Sequence, residues 1–258
     1  MQDDPDAGRT IPRIPTNLRL LAILEAVTRQ GGPVAPGDVG PELDLPKPTI
    51  HRLFQTLEGA GFLQREPDGR SYTIGPRMRM LATGVLSTAR MRTPRLAVMR
   101  ALSRAIGETV NLSIPDRGAM LYLDRVETEW PLRIQLPVGS RVPLHCTAAG
   151  KLHLSTLPPA HLERFLRNDP LARHTANTLT TAAALREEIS GIGRAGHARD
   201  NEEFIAGMIA IAVPLRDGHG RMPASLSFHA PTQRMPMATA LIHLPRLQAA
   251  AGELSLLL

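Results

Sequence analysis

Cationic and hydrogen-bonding side chains recur at helical spacing in the stretch LPKPTIHRLFQTLEGAGFL, residues 45–63. They lie opposite the apolar residues of the same stretch, on a face that consists of Pro48, His51, Arg52, Gln55 and Thr56. A helix face that is cationic and able to form hydrogen bonds is suited to presentation to a partner. Because histidines on a helix surface are often only solvated, His51 is as consistent with an idle position as with a contact.

Two prolines in the same stretch indicate where its helix begins. Pro46 and Pro48 lack a backbone N–H, and the first helical turn is the place where that donor has no partner inside the helix. Downstream, apolar residues recur at spacings of three, four and seven, which is typical of one buried helix face. These residues are Ile50, Leu53, Phe54 and Leu57. The helix therefore buries one face and presents its cationic face to a partner.

Three other groupings resemble catalytic or metal motifs without meeting their requirements. TAAGKL, residues 147–152, has His145 where a phosphate loop needs its first glycine and Leu152 where serine or threonine should follow the lysine. His145 and Cys146 are adjacent, and neighbouring strand residues point to opposite faces, so we expect a buried structural cysteine rather than a nucleophile–base pair. RDNEE, residues 199–203, could form a carboxylate acid/base site or, with His197 and His229, a metal site, but it has no second set of ligands at metal-binding spacing. We therefore predict neither a metal site nor a cofactor.

Composition narrows the class of protein. At 258 residues the chain is long enough for two domains, and it contains no run of 18 or more apolar residues that could span a membrane. A single cysteine excludes an internal disulfide and is typical of a reducing cytoplasm. The net charge of +6 favours an anionic partner. Residues 1–13 are acidic and proline-rich without an apolar segment, which predicts a disordered lead-in rather than a secretory signal.

Turn signals divide the N-terminal part into short elements. The pattern predicts a first helix, a poor Gly/Pro-rich second helix, the helix described above and two short strands, at residues 16–30, 34–45, 46–59 and 62–75. The two strands flank a turn that contains Asp68. Three helices followed by a β-hairpin are the plan of a winged helix-turn-helix, which we place at residues 14–77.

A long helical tract and a mixed α+β region follow. Residues 78–106 predict a linker helix, interrupted at Pro94, and from Arg77 to Arg104 there are seven arginines and no acidic residue. Such a face is either solvated or attracts an anion. Strand-like and helix-like segments then alternate, which predicts an α+β domain over residues 107–258, with a mostly antiparallel sheet flanked by helices.

The order and wording of these segments resemble the IclR family of bacterial transcriptional regulators. The similarity rests on LDLPKPTIHRLFQTLEGAGFLQREPDGRSYTIGPRM, PVGSRVPLHCTAAGKLHLSTLP, GHARDNEEFIAGMIAIAVPLRD and ASLSFHAP, and it covers nearly all of residues 14–258. The resemblance implies an N-terminal winged helix that binds DNA, a linker helix and a C-terminal effector domain. It also implies dimers or tetramers on palindromic operators, with repression or activation modulated by small metabolites, often carboxylates or aromatics.

The resemblance places the DNA contacts on two elements. The helix that begins near Pro46 becomes the recognition helix, and its residues available to the major groove are Lys47, Thr49, His51, Arg52 and Gln55. The hairpin becomes the wing, with Arg65 and Arg70 lying along the phosphate backbone.

The resemblance also implies an effector pocket, whose residues are far apart in the sequence. They are Ile134, Ala148, Ala149, Asp200, Met208, Ala210, Ser227 and His229. Backbone N–H groups at the start of the TAAGK helix would bind a carboxylate, and Ser227 and His229, two apart on one strand, would hold the other end of the ligand. Asp200 is equally consistent with a solvent-facing turn. If His229 titrates near its ordinary pKa of ~6.5, an anionic ligand should bind more tightly below that pH.

We therefore predict a cytoplasmic, ligand-responsive and sequence-specific DNA-binding regulator of a metabolic operon. Its expected partners are a double-stranded DNA operator, a small organic acid and further copies of the chain, as a homodimer or homotetramer. The apolar side of the linker helix, with Met80, Leu81, Val85 and Leu86, is expected to contribute to self-association. The alternative is a small-molecule enzyme whose N-terminal helices serve as a docking module. An enzyme should carry a nucleophile–base pair or a cofactor motif, and the sequence offers neither.

Overall fold

The computed structural model describes residues 14–30, 32–86, 88–131, 134 and 136–257. The predicted lead-in, residues 1–13, lies outside this part of the chain. The chain divides into two compact units, Met1–Val85 and Leu86–Leu258. Among the helices in the described ranges, none combines the length and the apolar character that crossing a membrane requires.

Short helices and one hairpin make up the first unit. Its helices are α1 (Arg19–Gln30), α2 (Gly40–Leu43), α3 (Lys47–Gly59) and α4 (Pro76–Leu86), with 3-10 turns at Thr16–Leu18 and Pro36–Val39. The Gly/Pro-rich second helix is thus a 3-10 turn that continues into only four α-helical residues. Asp44 ends it in the left-handed conformation, with φ 47°.

The helix α3 begins where the prolines predict. Pro46 precedes it with extended backbone and Pro48 lies in its first turn. Ile50, Phe54 and Leu57 are buried in a core shared with α1 and the hairpin. Burying each side chain of this size stabilises the unit by roughly 1.5–3 kcal/mol, which fixes the orientation of the polar face.

The hairpin consists of β1 (Leu63–Arg65) and β2 (Tyr72–Ile74), paired antiparallel with Leu63 opposite Ile74. The Asp68 carboxylate closes its turn by accepting the backbone N–H groups of Arg70 and Ser71 at 2.8 and 2.9 Å. It also accepts the Ser71 hydroxyl at 2.6 Å. The predicted turn around Asp68 is therefore held by its own side chain, as in an Asx-turn.

The tract predicted as one linker helix forms two helices, α4 and α5 (Ala89–Ile106). The prediction that Pro94 interrupts it is wrong, because Pro94 lies inside α5, which begins only after its N-cap residue Thr88. The arginines of α5 are not all solvated. Arg95 is fully buried and, together with Arg92, donates to the Asp124 carboxylate at 2.7 Å.

A six-stranded sheet forms the centre of the second unit. Its strands are β3 (Thr109–Asp116), β4 (Ala119–Val126), β5 (Arg141–Pro143), β6 (Ala198–Asn201), β7 (Met208–Leu215) and β8 (Ala224–Pro231). Their order is β5-β4-β3-β8-β7-β6 and every pairing is antiparallel. The prediction of an α+β domain with a mostly antiparallel sheet is confirmed.

Helices cover both faces of this sheet. One face packs against α5, α9 (Met237–Ile242) and α10 (Leu244–Ser255), and the other against α6 (Ala148–Leu154), α7 (Pro159–Asn168) and α8 (Ala182–Ala195). The first face is apolar, with Leu226 and Phe228 of β8 in its core. Because side chains alternate along a strand, Ser227 and His229 point to the other face, toward α6.

Candidate ligand cavity and nucleic-acid interface

A cavity lies between the start of α6 and the polar face of the sheet. All eight predicted effector residues line it, namely Ile134, Ala148, Ala149, Asp200, Met208, Ala210, Ser227 and His229. Its volume, measured as the space open to the centre of a water molecule, is about 40 Å³. One water needs roughly 10–15 Å³ by that measure, so the closed cavity has room for about three waters.

Strand register explains why residues so distant in sequence meet here. Asp200 of β6 pairs with Ala210 of β7, and Ala210 pairs with His229 of β8, so the three form one row across the sheet. In the next row, Ser227 pairs with Asn111 of β3. The cavity floor is therefore assembled from four neighbouring strands.

A chain of hydrogen bonds ends at His229. The Arg125 guanidinium donates from Nη1 to Asn111 Oδ1 at 3.0 Å, and Asn111 Nδ2 lies 3.1 Å from His229 Nδ1. Because a guanidinium only donates, Asn111 must accept through Oδ1 and donate through Nδ2. His229 Nδ1 is then an acceptor and the ring carries its proton on Nε2. That Nε2 atom is buried without a partner among the residues described.

Burial lowers the pKa of His229 to about 3, with a further lowering by the Arg125 charge that Glu127 partly opposes. The ring is consequently neutral throughout the physiological range. The expectation that a ligand binds more tightly as His229 becomes charged near pH 6.5 is therefore wrong. What His229 offers the cavity is a neutral N–H donor.

Asp200 is at once a turn residue and a cavity residue. Its Oδ1 accepts the backbone N–H groups of Glu203 and Phe204 at 2.8 and 3.3 Å, and only 7% of the residue is exposed. Burial raises the pKa of Asp200 to about 7, against the lowering by the Glu203 N–H, and the Glu203 carboxylate raises it further. Asp200 therefore changes its charge close to neutral pH.

A phenol and an apolar wall complete the cavity. Tyr122 of β4 lines it, and burial raises the pKa of this phenol to about 12, so the hydroxyl keeps its proton and can donate. The apolar lining comprises Ile134, Leu136, Val142, Phe204, Ile205, Met208 and Ile209. A few polar groups in an apolar cavity are the usual arrangement for orienting a small ligand.

The start of α6 forms one side of the cavity. Thr147 caps this helix by accepting the Gly150 N–H at 3.1 Å. The first two N–H groups of a helix have no partner within it, and here they belong to Ala148 and Ala149. A side chain at Gly150 would lie 2.5 Å from the backbone of Leu144, so the glycine is required by packing.

The lysine of TAAGK is structural as well. Lys151 is fully buried, and its Nζ donates to Glu188 at 3.0 Å and to Glu203 at 2.5 Å. Burial raises the pKa of Glu203, and the ammonium of Lys151 opposes that effect. The glycine–lysine pair thus serves packing and charge pairing, in agreement with the prediction that it is no phosphate loop.

Sequence reasoning missed several residues of the cavity, among them Asn111, Tyr122, Thr147 and Phe204, and it missed Arg125 behind them. Asn111 left a weak signal. It stands between Val110 and Leu112, which point to the opposite, apolar face, and it is itself 1% exposed. A buried amide on a strand normally has hydrogen-bond partners, which would have pointed to a polar network.

The residues predicted to contact DNA bases lie on one helix and are accessible. Lys47, His51, Arg52 and Gln55 are exposed along α3, while Thr49 is half-buried. Lys47, His51 and Gln55 follow one another at intervals of four and therefore share one face.

The two arginines of the wing differ in whether their charge is paired with a carboxylate. Arg65 donates to both carboxylate oxygens of Glu58, at 3.1 and 2.9 Å, and lies over the Tyr72 ring. These hydrogen bonds raise the pKa of Arg65 and lower that of Glu58. The exposed Arg70 has no ion pair with any residue that the structure describes. Arg70 is thus the wing residue with an uncompensated charge.

The fold and the two surfaces define a winged-helix DNA-binding protein with a separate ligand-sensing domain. The chain matches the family models described as bacterial transcriptional regulator IclR C-terminal, over residues 83–256, and IclR helix-turn-helix domain, over residues 18–67. It therefore belongs to the IclR family of bacterial transcriptional regulators, as the resemblance implied.

Similar proteins support the same assignment. The chain is 39% identical to "Probable transcriptional regulator SauR" of Cupriavidus necator, over 92% of this chain and 94% of that protein. It is 33% identical to the HTH-type transcriptional regulator BhcR of Paracoccus denitrificans, over 92% and 85% of the two chains. The family and these relatives are regulators, and the alternative of an enzyme is not supported.

Solved structures show the same fold. An IclR homologue from Microbacterium hydrocarbonoxydans, complexed with 4-hydroxybenzoate, superposes with a TM-score of 0.60 at 27% identity, covering 93% of this chain and 98% of that one. The Thermotoga maritima IclR superposes with a TM-score of 0.62 at 26% identity, covering 93% and 97%.

Proposed function

We propose that this chain is a cytoplasmic regulator that binds a palindromic operator of a metabolic operon and is controlled by a small organic acid in its sensor cavity. The observation that carries the ligand part is the proton on His229 Nε2, a buried donor without a partner among the described residues. Such a donor is costly to bury unless an acceptor pairs with it. A ligand with an oxygen at that position would supply the acceptor.

The cavity suits a ligand with a polar group at each end and an apolar body between. A carboxylate fits the start of α6, where the N–H groups of Ala148 and Ala149 and the helix dipole favour an anion. A hydroxyl, carbonyl or second carboxylate fits beside His229. The 4-hydroxybenzoate held by the homologue from Microbacterium hydrocarbonoxydans has this plan, a carboxylate and a phenol separated by a ring.

The DNA part of the proposal rests on α3 and the wing. In the proposed complex Lys47, Thr49, His51, Arg52 and Gln55 enter the major groove, and Arg65 and Arg70 lie along the phosphates. Arginine pairs with guanine through two hydrogen bonds, so Arg52 is the main base-reading candidate. Arg70 supplies the free positive charge of the wing.

A second copy of the chain is the proposed partner of α4. Met80, Leu81 and Val85 on this helix are 72%, 54% and 54% exposed, which is unusual for three neighbouring apolar side chains. One winged helix covers one half-site, and a palindrome demands two related by a two-fold axis. We therefore propose a homodimer or homotetramer.

Binding to DNA and binding to ligand are tested separately on the full chain. Operator fragments are selected from random duplexes, and Arg52→Ala should weaken the selected site by about 1–3 kcal/mol while leaving random DNA nearly unchanged. A panel of small acids that includes 4-hydroxybenzoate is screened by thermal shift, since a ligand of the native state raises the melting temperature. If wild type binds the selected site and random DNA equally well, the proposal of a sequence-specific regulator is contradicted. If an acid stabilises wild type and His229→Leu equally, the proposal that it binds beside His229 in the cavity is contradicted.

A further inference from the structure

A cluster of three potential metal ligands lies beside the cavity and takes no part in the function proposed above. His145 and Cys146 follow β5 in the turn that leads to α6, and His174 lies in the segment between α7 and α8. One ligand atom from each of them lies within 4.8 Å of the others. We propose that His145, Cys146 and His174 bind a zinc ion.

The turn after β5 is what brings the first two ligands together. The sequence suggested that adjacent residues of a strand would point apart, and therefore that His145 and Cys146 could not cooperate. The strand ends at Pro143, however, and residues 144–146 form a turn. Alternation does not apply in a turn, so the imidazole of one residue and the thiol of the next can face a common point.

A hydrogen bond to the backbone leaves one ring nitrogen of His145 available to a metal. Its Nε2 lies 2.9 Å from the backbone carbonyl of Ala172, and a carbonyl only accepts, so Nε2 carries the proton. The other nitrogen, Nδ1, is then unprotonated and has a free lone pair. Histidines that bind zinc usually donate their second ring N–H to a carbonyl or carboxylate in this way, which fixes both tautomer and ring orientation.

The chemistry of the three donors suits zinc better than calcium or magnesium. A thiolate and two imidazoles are typical zinc ligands, whereas the harder cations require oxygen. Tetrahedral zinc places its ligand atoms about 3.5 Å apart, so the present donors must approach one another by about 1 Å. His174 is exposed and can make that movement, while His145 and Cys146 are buried. The fourth position is left to water or to Asp169, whose carboxylate lies 3.9 Å from His145 Nδ1.

The site would adjoin two parts of the cavity wall. Cys146 directly precedes Thr147 and Ala148, which line the cavity. The His174 ring packs edge-to-face on Phe204, another lining residue, with centroids 5.4 Å apart. A bound ion would therefore restrain both parts without occupying the space where the organic ligand binds.

Cobalt substitution tests the site directly. The full-length chain is stripped with EDTA and titrated with Co²⁺, and thiolate-to-cobalt absorption in the near ultraviolet is recorded. Because the chain has one cysteine, any sulfur band reports Cys146 alone. We expect the band to saturate at one equivalent per chain and to disappear when Zn²⁺ is added.

Three variants separate the site from adventitious binding. Cys146→Ser should abolish the band, and His174→Ala, at an exposed position where folding is not at risk, should weaken Co²⁺ binding by at least about tenfold. His219→Ala, at an exposed histidine in the β7–β8 turn, is the control and should bind as wild type. A folded wild type without the sulfur band, or an unchanged band in His174→Ala, would overturn the proposal. A Cys146→Ser chain that fails to fold leaves the decision to His174→Ala.

Discussion

Asn111 Nδ2 lies 3.1 Å from His229 Nδ1, and this contact determines which ring nitrogen of the histidine carries the proton. Arg125 fixes the amide in turn, so a guanidinium that does not line the cavity controls the polarity of a side chain that does. The histidine is thereby an uncharged donor. His229 therefore contributes to ligand recognition through the direction of its Nε2–H bond and not through a charge.

Breaking this contact should weaken ligand binding. In Asn111→Leu the His229 ring loses the partner of Nδ1 and can take either tautomer, so we expect a loss of about 1–3 kcal/mol in the affinity for 4-hydroxybenzoate or another acid found by thermal shift. Isothermal titration calorimetry measures it. Ser113→Ala, on the same face of β3 two residues further on and outside the cavity, is the matched control and should bind as wild type. If wild type, Asn111→Leu and Ser113→Ala bind the ligand with equal affinity, the hydrogen-bond network takes no part in ligand recognition.

Affinity for an anionic ligand should depend on pH through Asp200. Its pKa of about 7 means that the carboxyl is mostly neutral at pH 6 and mostly charged at pH 8. A charged Asp200 repels a carboxylate in the same cavity, so binding should tighten as the pH falls through 7. Titrations at pH 6, 7 and 8 measure this trend.

Two variants identify the titrating group. Asp200→Asn keeps an oxygen for the N–H groups of Glu203 and Phe204 but cannot ionise, so its affinity should be flat over the same range. His229→Gln should bind more weakly yet keep the pH dependence, because the pKa of His229 is about 3. The opposite pattern, flat in His229→Gln and steep in Asp200→Asn, would show that the histidine titrates after all.

The two wing arginines should affect DNA binding differently. Arg70→Ala should weaken all sequences alike and reduce the slope of log affinity against log salt by about 1, as expected for one lost phosphate contact. Arg65→Ala should change the slope less, because the charge of Arg65 is paired with Glu58. Glu58→Gln frees that charge and should steepen the slope. Fluorescence anisotropy at several salt concentrations provides these slopes, and a larger effect of Arg65→Ala than of Arg70→Ala would contradict the assignment.

Removing the buried lysine should destabilise the sensor domain. Lys151→Met leaves the Glu203 carboxylate buried without its ammonium partner, which typically costs about 3–5 kcal/mol of unfolding free energy. Because Glu203 becomes neutral on protonation, part of the loss should be regained at lower pH. Denaturant midpoints at pH 5.5 and 8 measure both effects. Glu188→Gln is the comparison, and it should cost less, since the Glu188 side chain is 31% exposed.

Local signals in the sequence were sufficient to predict the helices and the hairpin of the DNA-binding unit. The start of α3 follows from the missing N–H groups of Pro46 and Pro48, its buried face from apolar spacing, and the wing turn from Asp68. Each of these features depends on residues within one turn or one hairpin. The break between α4 and α5 was misplaced because Pro94 is tolerated inside the helix, which its sequence position does not reveal.

The polar network of the cavity could not be predicted from local sequence signals. Asn111 and His229 are 118 positions apart and meet only through the β3–β8 register. The pKa values of Asp200 and His229 follow from burial, which depends on how α6 packs on the sheet. The resemblance to a family named the eight lining residues without revealing what protonation state each would have.

The full burial of Cys146 makes the protein a ready background for site-selective labelling. It is the only cysteine of the chain and it has no exposed surface, so maleimide reagents, which are much larger than a metal ion, should leave it unmodified. A cysteine introduced at the exposed Gln64 of the wing would then carry a fluorophore at one defined position. The native chain can thus be converted into an optical reporter of operator binding with a single substitution.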